Sequence, residues 1–361
     1  MSHWIIAPIL LPLFTGLILL IGAGWGRRAA RLISLISLVL LVGVEVHLLG
    51  VAAQGEVSIY ALGNWPPPFG IVLQLDRLAA LMLAMTGVLA LFCAGYAAAG
   101  RDGPGDSLHP LIHLLLLGLN GAFLTGDLFN LFVFFEVLLL ASYALLLHGG
   151  GARRAKAGLH YVVLNLAGSA LFLIAVALLY GVTGTLNMVD MGERITALDP
   201  ADRPLAHTGG LLLFVVFGLK AAVAPLYFWL PGAYAAAVGP VAALFAVMTK
   251  VGIYSILRVY GLAFAPEGAG FAGFLSPWLW LLALVTLALG VVGTLAAREL
   301  RQQIAYLVIV SVGTLLVGMA MNTVASLAAL LYYLVHSTWI CAASSGRRSR
   351  ICASIASPSP S

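Results

Sequence analysis

Charge is what this sequence has least of. Of its 361 residues only 9% are Asp, Glu, Lys or Arg, against 62% hydrophobic. A soluble domain carries about 25% charged residues, so an ordinary water-facing surface is excluded. Lysine is scarcer still, with Lys156, Lys220 and Lys250 the only three in the chain. The three cysteines, Cys93, Cys341 and Cys352, have neither metal-ligand spacing nor the pattern of a disulfide framework. There is no Walker A loop, no strand-preceded GxGxxG and no HExxH, so the usual enzyme motifs are missing. No basic stripe is interleaved with aromatics, which argues against nucleic acid as a partner. No cofactor and no metal is expected.

What the chain does have is long apolar runs. The solvent that suits them is a bilayer, where only helices or closed barrels satisfy the backbone. The runs are continuous and do not alternate, which selects helices. At roughly 20 residues per crossing, spans are expected near 4–23, 32–52, 76–99, 108–126, 128–148, 158–181, 208–230, 238–261, 273–296, 302–321 and 324–341. The expectation is therefore an all-α integral membrane protein with about eleven transmembrane helices. The first apolar run precedes Arg27, Arg28 and Arg31, the reverse of a cleaved signal, and reads as a retained span with the N-terminus outside. On that layout the inside loops hold Arg27, Arg28, Arg31, Arg101, Arg153, Arg154, Lys156, Arg298 and Arg301. The outside loops and their edges hold Arg77, Arg194, Arg203 and Arg258. The asymmetry follows the positive-inside rule.

Two outside connections are long. Residues 55–75 contain a proline triplet that breaks any helix, and residues 187–204 have room for a short surface helix. Asp76–Arg77 reads as a local polar anchor, and Asp127 with Asn130 as a turn and helix cap. Near residue 341 the composition turns to Ser, Arg and Cys, in CAASSGRRSRICASIASPSPS. Either this is a natural polar tail or the chain departs there from an ancestral reading frame.

A charge at mid-span costs about 2.5–3.5 kcal/mol on insertion scales, so each one needs a partner, water or a task. Glu136 lies in LFVFFEVLLLASYALLL, with Asn130 and Ser142 six residues to either side. Neither is its helical neighbour, and its partner must come from another helix. Lys220 and Lys250 lie inside spans, in VVFGLKAAVAPLYFWL and FAVMTKVGIYSIL. A GC-rich genome would explain a general preference for arginine over lysine. A site that alternates between charged and neutral is the other explanation, because lysine can release its proton and arginine cannot. Pro225, five residues after Lys220, lacks the amide that the Ala221 carbonyl would accept, so the helix should kink or unwind there. His336 lies in the last span. Glu45 and His47 read as reaching the headgroup region, and His113 and His160 as interfacial.

Three stretches carry a resemblance: GLNGAFLTGDLFNLFVFFEVLLLASYALL, FGLKAAVAPLYFWLPGAY and GPVAALFAVMTKVGIYSILRVY. They resemble the D subunit of multisubunit Mrp/Pha-type cation/proton antiporters, relatives of the antiporter-like proton-pumping subunits of respiratory complex I. The resemblance runs from about residue 1 to 338. It implies a fourteen-helix fold of two inverted five-helix repeats, each with a broken helix, the first of them the seventh. On that pattern residues 1–107 are three amino-terminal helices, 108–262 the first repeat, 273–341 an incomplete second repeat and 342–361 an aberrant tail.

The resemblance also implies roles. Glu136 and Lys220 would form an ion pair that gates protons, Lys250 would pass them inward, and His336 would follow on the eleventh helix. The partners implied are other antiporter subunits, the lipid bilayer, protons and Na+ or K+, in a bacterial inner membrane. The alternative is a proton-pumping subunit of an NADH-quinone oxidoreductase or related redox complex. A third reading is a membrane scaffold without transport.

Overall fold

The computed structural model describes residues 3–65, 68–100, 105, 107–264 and 275–355, with no side-chain surroundings given for 276, 277 and 346–355. Arg101, the first two prolines of the triplet and the last six residues lie outside them.

The chain is a bundle of helices in sequence order: α1 (Ala7–Ile21), α2 (Arg27–Ala53), α3 (Arg77–Ala98), α4 (Leu108–Leu124), α5 (Leu128–Leu147), α6 (Ala152–Thr183), α7 (Met188–Thr196), α8 (Arg203–Ala221), α9 (Trp229–Ala236), α10 (Gly239–Leu244), α11 (Met248–Leu262), α12 (Ser276–Ala296), α13 (Leu300–Met321) and α14 (Val324–Ile355). Ten described helical segments are long and apolar enough to cross a membrane, α10 and α11 counting as one, and α4 is an eleventh, shorter apolar helix. The eleven expected spans are therefore present, and the chain is a multi-pass membrane protein.

α4 forms the centre. Almost every side chain along it is buried, and it packs against α1 and α5, with α3 and α11 also touching it. A helix covered on all sides is apolar all round, which is why its run shows no polar face. The outer helices show the opposite, with Leu, Ile, Val and Phe side chains exposed along α1, α2, α6 and α12. In lipid this is the expected surface.

At one end of the bundle the connections are tied together. Residues Ser58–Ala61 (β1) and Val72–Leu75 (β2) form an antiparallel pair with Ser58 opposite Leu75 and Ala61 opposite Val72. The stretch expected only to break a helix therefore holds a small hairpin, flanking the prolines. Leu73 bridges to Thr125 and Asp127 to Asn187, so hairpin, α4–α5 turn and α6–α7 turn make one surface. Asp127 caps α5 by accepting from the Asn130 amide at 2.7 Å, and Asn187 caps the short helix α7. Both features agree with the sequence reading.

At the other end lie Arg153, Arg154 and Arg301. Arg153 pairs with Glu299 at 2.7 Å. Arg154 donates to the Ala236 carbonyl at 3.1 Å, and Arg301 to those of Ala235 and Ala237 at 3.3 and 3.4 Å. These cations meet the negative end of α9, the place where they are stabilising.

The polar segment after residue 341 continues α14 without a break to Ile355. Cys341 and Ala342 are buried against the bundle. Up to Ile355 the segment holds no proline and mixes alanine and arginine, both good helix formers, with serine, so the change in composition produces no change of backbone at that point.

Candidate functional site

The site starts where α8 stops. Ala222 is left-handed at φ 61°, and the Ala224–Pro225 peptide is cis. Pro225 offers no amide to the Ala221 carbonyl. The Ala224 amide, which would have bonded the Lys220 carbonyl, donates instead to Thr286 Oγ1 of α12 at 3.0 Å. Two consecutive carbonyls thus lose their helical donors directly after the lysine. The ends are secured elsewhere, by Val223 N to Gly218 O at 2.8 Å and by the Trp229 ring nitrogen to Leu219 O at 3.0 Å. The break expected after Lys220 is there, and the helix resumes only at Trp229.

Lys220 is buried, and its ammonium donates to the main-chain oxygen of Asn165 at 3.3 Å and to its Oδ1 at 3.2 Å. The hydroxyl of Ser169, one turn on, lies 3.0 Å from the same main-chain oxygen. That same hydroxyl bonds Glu136 Oε1. Glu136 on α5 and Lys220 on α8 therefore make no direct ion pair. Each is held by α6, through Ser169 and Asn165, and Glu136 acts on Lys220 electrostatically from there. This corrects the expected contact pair. The physical reason is α6, whose Gly168 brings its backbone so close to α8 that a Cβ there would lie 2.6 Å from Leu219 Cδ2 and 3.8 Å from Lys220 Nζ.

Lys250 on α11 is fully buried, and its ammonium donates to Ser311 Oγ of α13 at 2.7 Å. One turn before it the helix tightens into a 3-10 segment, Phe245–Val247, whose Phe245 carbonyl accepts from the Tyr234 hydroxyl. Mid-helix 3-10 turns mark hinges. Lys220 and Met248 line a shared cavity of about 10 Å³ with Asn165, Tyr161 and Trp229, at the lower limit of room for one water. Gly252 seals the contact between the two lysine helices, since a Cβ there would fall 2.5 Å from the Ala221 amide nitrogen.

His336 is not brought to this line. It is exposed on α14 and stacks on Tyr332 with the rings 6.2 Å apart.

Sequence reading missed several partners. Asn165 and Ser169 lie four residues apart in an apolar span, and that i, i+4 polar pair was the available signal. Ser311 offered none beyond being polar. Glu45 and His113, expected at the headgroup level and at the interface, are both enclosed by the bundle. Ser34 is hydrogen-bonded to His113 Nε2 and His109 Nδ1, each at 3.1 Å, and Thr15 to Ser37 at 2.7 Å. Arg258 lies at the hairpin end of the bundle, as expected of a loop-edge charge, but it does not face solvent. It is buried in α11 and bidentate to Asp76, with Nη2 to Oδ1 at 2.9 Å. Asp76 also caps α3, accepting from the Ala79 amide at 2.8 Å.

A membrane bundle whose broken helix sets a buried lysine beside freed carbonyls, with a carboxylate and a second lysine nearby, has the arrangement by which membrane proteins hold ionisable groups at depth. Residues 125–349 match the family described as NADH:quinone oxidoreductase/Mrp antiporter, transmembrane, and the chain belongs to that family. It is 49% identical over 343 residues to the D subunit of the probable K(+)/H(+) antiporter of Rhizobium meliloti (strain 1021), covering 94% of this chain and 64% of that protein. It is 39% identical over 343 residues to the D subunit of the Na(+)/H(+) antiporter of Bacillus subtilis (strain 168), covering 94% and 68%. The structure of the Mrp complex from Dietzia sp. DQ12-45-1b contains a similar chain, with a TM-score of 0.85 at 30% identity, over 95% of this chain and 64% of that one. The chain thus spans about two thirds of the length of these relatives.

Proposed function

We propose that the chain is a proton-carrying membrane subunit of a multisubunit monovalent cation/proton antiporter, a transporter component and not an enzyme in its own right. The observation that carries this reading is Lys220, buried beside a helix break and tied to α6 next to Glu136. The relatives are named for K+ and for Na+, so either cation suits the assembly.

The geometry supports a simple cycle. With its proton, Lys220 is stabilised by Asn165 and by the nearby charge of Glu136. If Glu136 releases Ser169 and swings away, the ammonium loses that compensation, and a desolvated lysine then gives up its proton. Once Lys250 has passed its own proton toward α13, its neutral amine is the next acceptor, by way of a water in the cavity that Lys220 and Met248 line. Lys250 in turn faces Ser311 on α13, within the second repeat that this reading assigns to residues 273–341. His336 lies beyond, on the uncovered face of α14, where its role would require a further element. Residues 108–262 act in this reading as one functional repeat, after three amino-terminal helices at 1–107.

We place the chain in a bacterial inner membrane with its N-terminus outside. The support is the gathering of arginines at one end, where Arg153 meets Glu299 and Arg154 and Arg301 meet α9. The partners are then other antiporter subunits, surrounding lipid, protons and the cation. The family description also spans redox complexes. That second reading requires co-purification with iron–sulfur and quinone-binding subunits, and a purified complex without them would remove it.

The test is cation-driven proton flux in inverted membrane vesicles carrying the complete complex, with this chain's Lys220→Ala variant. Loss of flux with normal assembly is expected. Unchanged flux in an assembled complex would remove Lys220 from the path and the proposal with it.

A further inference from the structure

A second buried carboxyl lies far from this line, and the fold builds its surroundings from three helices. In α1, Pro12 stands four residues after Pro8 and has no amide, so the Pro8 carbonyl has no helical donor. Asn120 of α4 supplies one from Nδ2, at 2.9 Å. The same amide nitrogen donates to Glu45 Oε1 of α2 at 3.2 Å. The other carboxyl oxygen lies against α3 at Gly87, where a Cβ would sit 1.7 Å from Oε2. A side chain at 87 would therefore occupy the place of the carboxyl.

Glu45 exposes none of its surface. Its Oε2 has no hydrogen-bond partner, and neither has Oδ1 of Asn120. The ionisable groups on the helices packed around it are engaged elsewhere. On α4, His109 and His113 are bonded to Ser34. On α3, Arg77 donates to the Ala53 carbonyl, while Cys93 and Tyr96 line a groove facing Trp339. On α2 itself, His47 packs edge-on against Trp4, and Arg27, Arg28 and Arg31 are at the opposite end of the helix. Among the described contacts no cation meets Glu45.

An anionic carboxylate so placed would be compensated by one neutral amide, which is far too little for a buried charge. The neutral acid is different. Its Oε2–H is a donor, and the unpartnered atom on the neighbouring amide is an acceptor. They are the two atoms that would close a cyclic acid–amide pair, whose first bond, Nδ2 to Oε1, is made in the structure. Protonation thus puts one donor where two orphaned acceptors stand otherwise.

We propose that Glu45 is a proton-binding site in the amino-terminal helices, separate from the Glu136–Lys220–Lys250 line, with Asn120, Gly87 and the Pro8 carbonyl as its walls. The ligand is a proton. The site stands whether or not the chain transports, because it concerns binding and not flux.

The test is pH-jump infrared difference spectroscopy on the full chain reconstituted in lipid, in wild type and in the Glu45→Gln, Asn120→Ala and Glu136→Gln variants. Wild type should show the carbonyl stretch of a protonated carboxyl that titrates with pH. Glu45→Gln should lose one component, a different one from that lost in Glu136→Gln. Asn120→Ala keeps Glu45 and should shift that same component in frequency, since its amide partner is gone. If Glu45→Gln does not fold, the Asn120→Ala shift decides alone, and its absence overturns the proposal. A spectrum unchanged in folded Glu45→Gln overturns it as well. A component whose titration moves with added NaCl or KCl, but not with choline chloride, overturns it in favour of a metal cation.

Discussion

Lys220 holds Asn165 by two oxygens at once, the main-chain carbonyl at 3.3 Å and Oδ1 at 3.2 Å. The residue that receives the lysine is thus on the helix between it and Glu136. Ser169, the next turn of that helix, holds the glutamate. A gate built this way has an intermediary, and the intermediary makes specific demands.

Asn165→Ala removes one of the two acceptors. A hydrogen bond to a charged group is worth about 1.5–3 kcal/mol, so proton flux should fall about ten- to hundredfold if that bond steadies the charged state. Asn165→Asp should slow flux too, for the opposite reason, because a carboxylate beside the ammonium locks it in the charged form. Flux in vesicles, normalised to the assembled complex, checks both. Two variants with wild-type flux would show that Asn165 is packing alone.

Lys220→Arg tests the need for a releasable proton. The guanidinium keeps its charge at any working pH, with a pKa above about 12, and it is large enough to reach the same acceptors. Assembly should persist while flux falls to the level of Lys220→Ala. Retained flux would mean that Lys220 acts as a fixed charge.

How far the sequence alone reached depends on which residues carry the feature. Spans were legible because each is a continuous apolar run, and the break because proline has no amide. Glu136, Lys220 and Lys250 stood out because charge at membrane depth is costly. Asn165, Ser169 and Ser311 did not, since neutral polar side chains are common in spans and their meaning appears only when helices pack. Glu45 was assigned to the headgroup region from its distance to the helix end. That reasoning could not see that α1, α3 and α4 close over it. The pairing of Arg258 is hidden for the same reason, its partner Asp76 being 182 residues away.

Gly252→Ala should disturb the site without touching either lysine. The added methyl would lie 2.5 Å from the Ala221 nitrogen and 2.9 Å from its Cα. Both are backbone atoms at the very end of α8, so one helix must move. Overpacking of this kind costs about 1–3 kcal/mol. Lower thermal stability in detergent together with lost flux is expected. Wild-type stability would mean that the α8–α11 contact is looser than these distances imply.

Ser311→Ala and His336→Ala make a matched pair. Lys250 meets Ser311 directly at 2.7 Å, whereas His336 is turned outward onto Tyr332. Removing the serine leaves a buried ammonium without its side-chain partner and should reduce flux. In the chain as it stands, removing the histidine should change flux far less. The reverse order, measured in the same vesicles, would move the proton's exit from α13 to α14.

Asp76→Asn addresses what holds the helices in place. Burial, the largest influence, pushes the Asp76 carboxyl up, but the Arg258 guanidinium and the amides of Ala79 and Leu78 together outweigh it and hold it below the usual range. A carboxylate lowered on folding contributes stability that is complete above its unfolded value, about 3.9, and is lost as pH falls through the lower folded value. Wild type and Asp76→Asn should therefore differ most at neutral pH and converge in acid. Breaking a buried pair on one side costs about 3–5 kcal/mol, because the partner charge is stranded, while replacing both sides with apolar groups is often nearly neutral. Asp76→Asn with Arg258→Met should accordingly recover much of the thermal stability in detergent that Asp76→Asn alone loses. A double variant no better than the single one would mean that the helix cap at Ala79, and not the ion pair, is what Asp76 supplies.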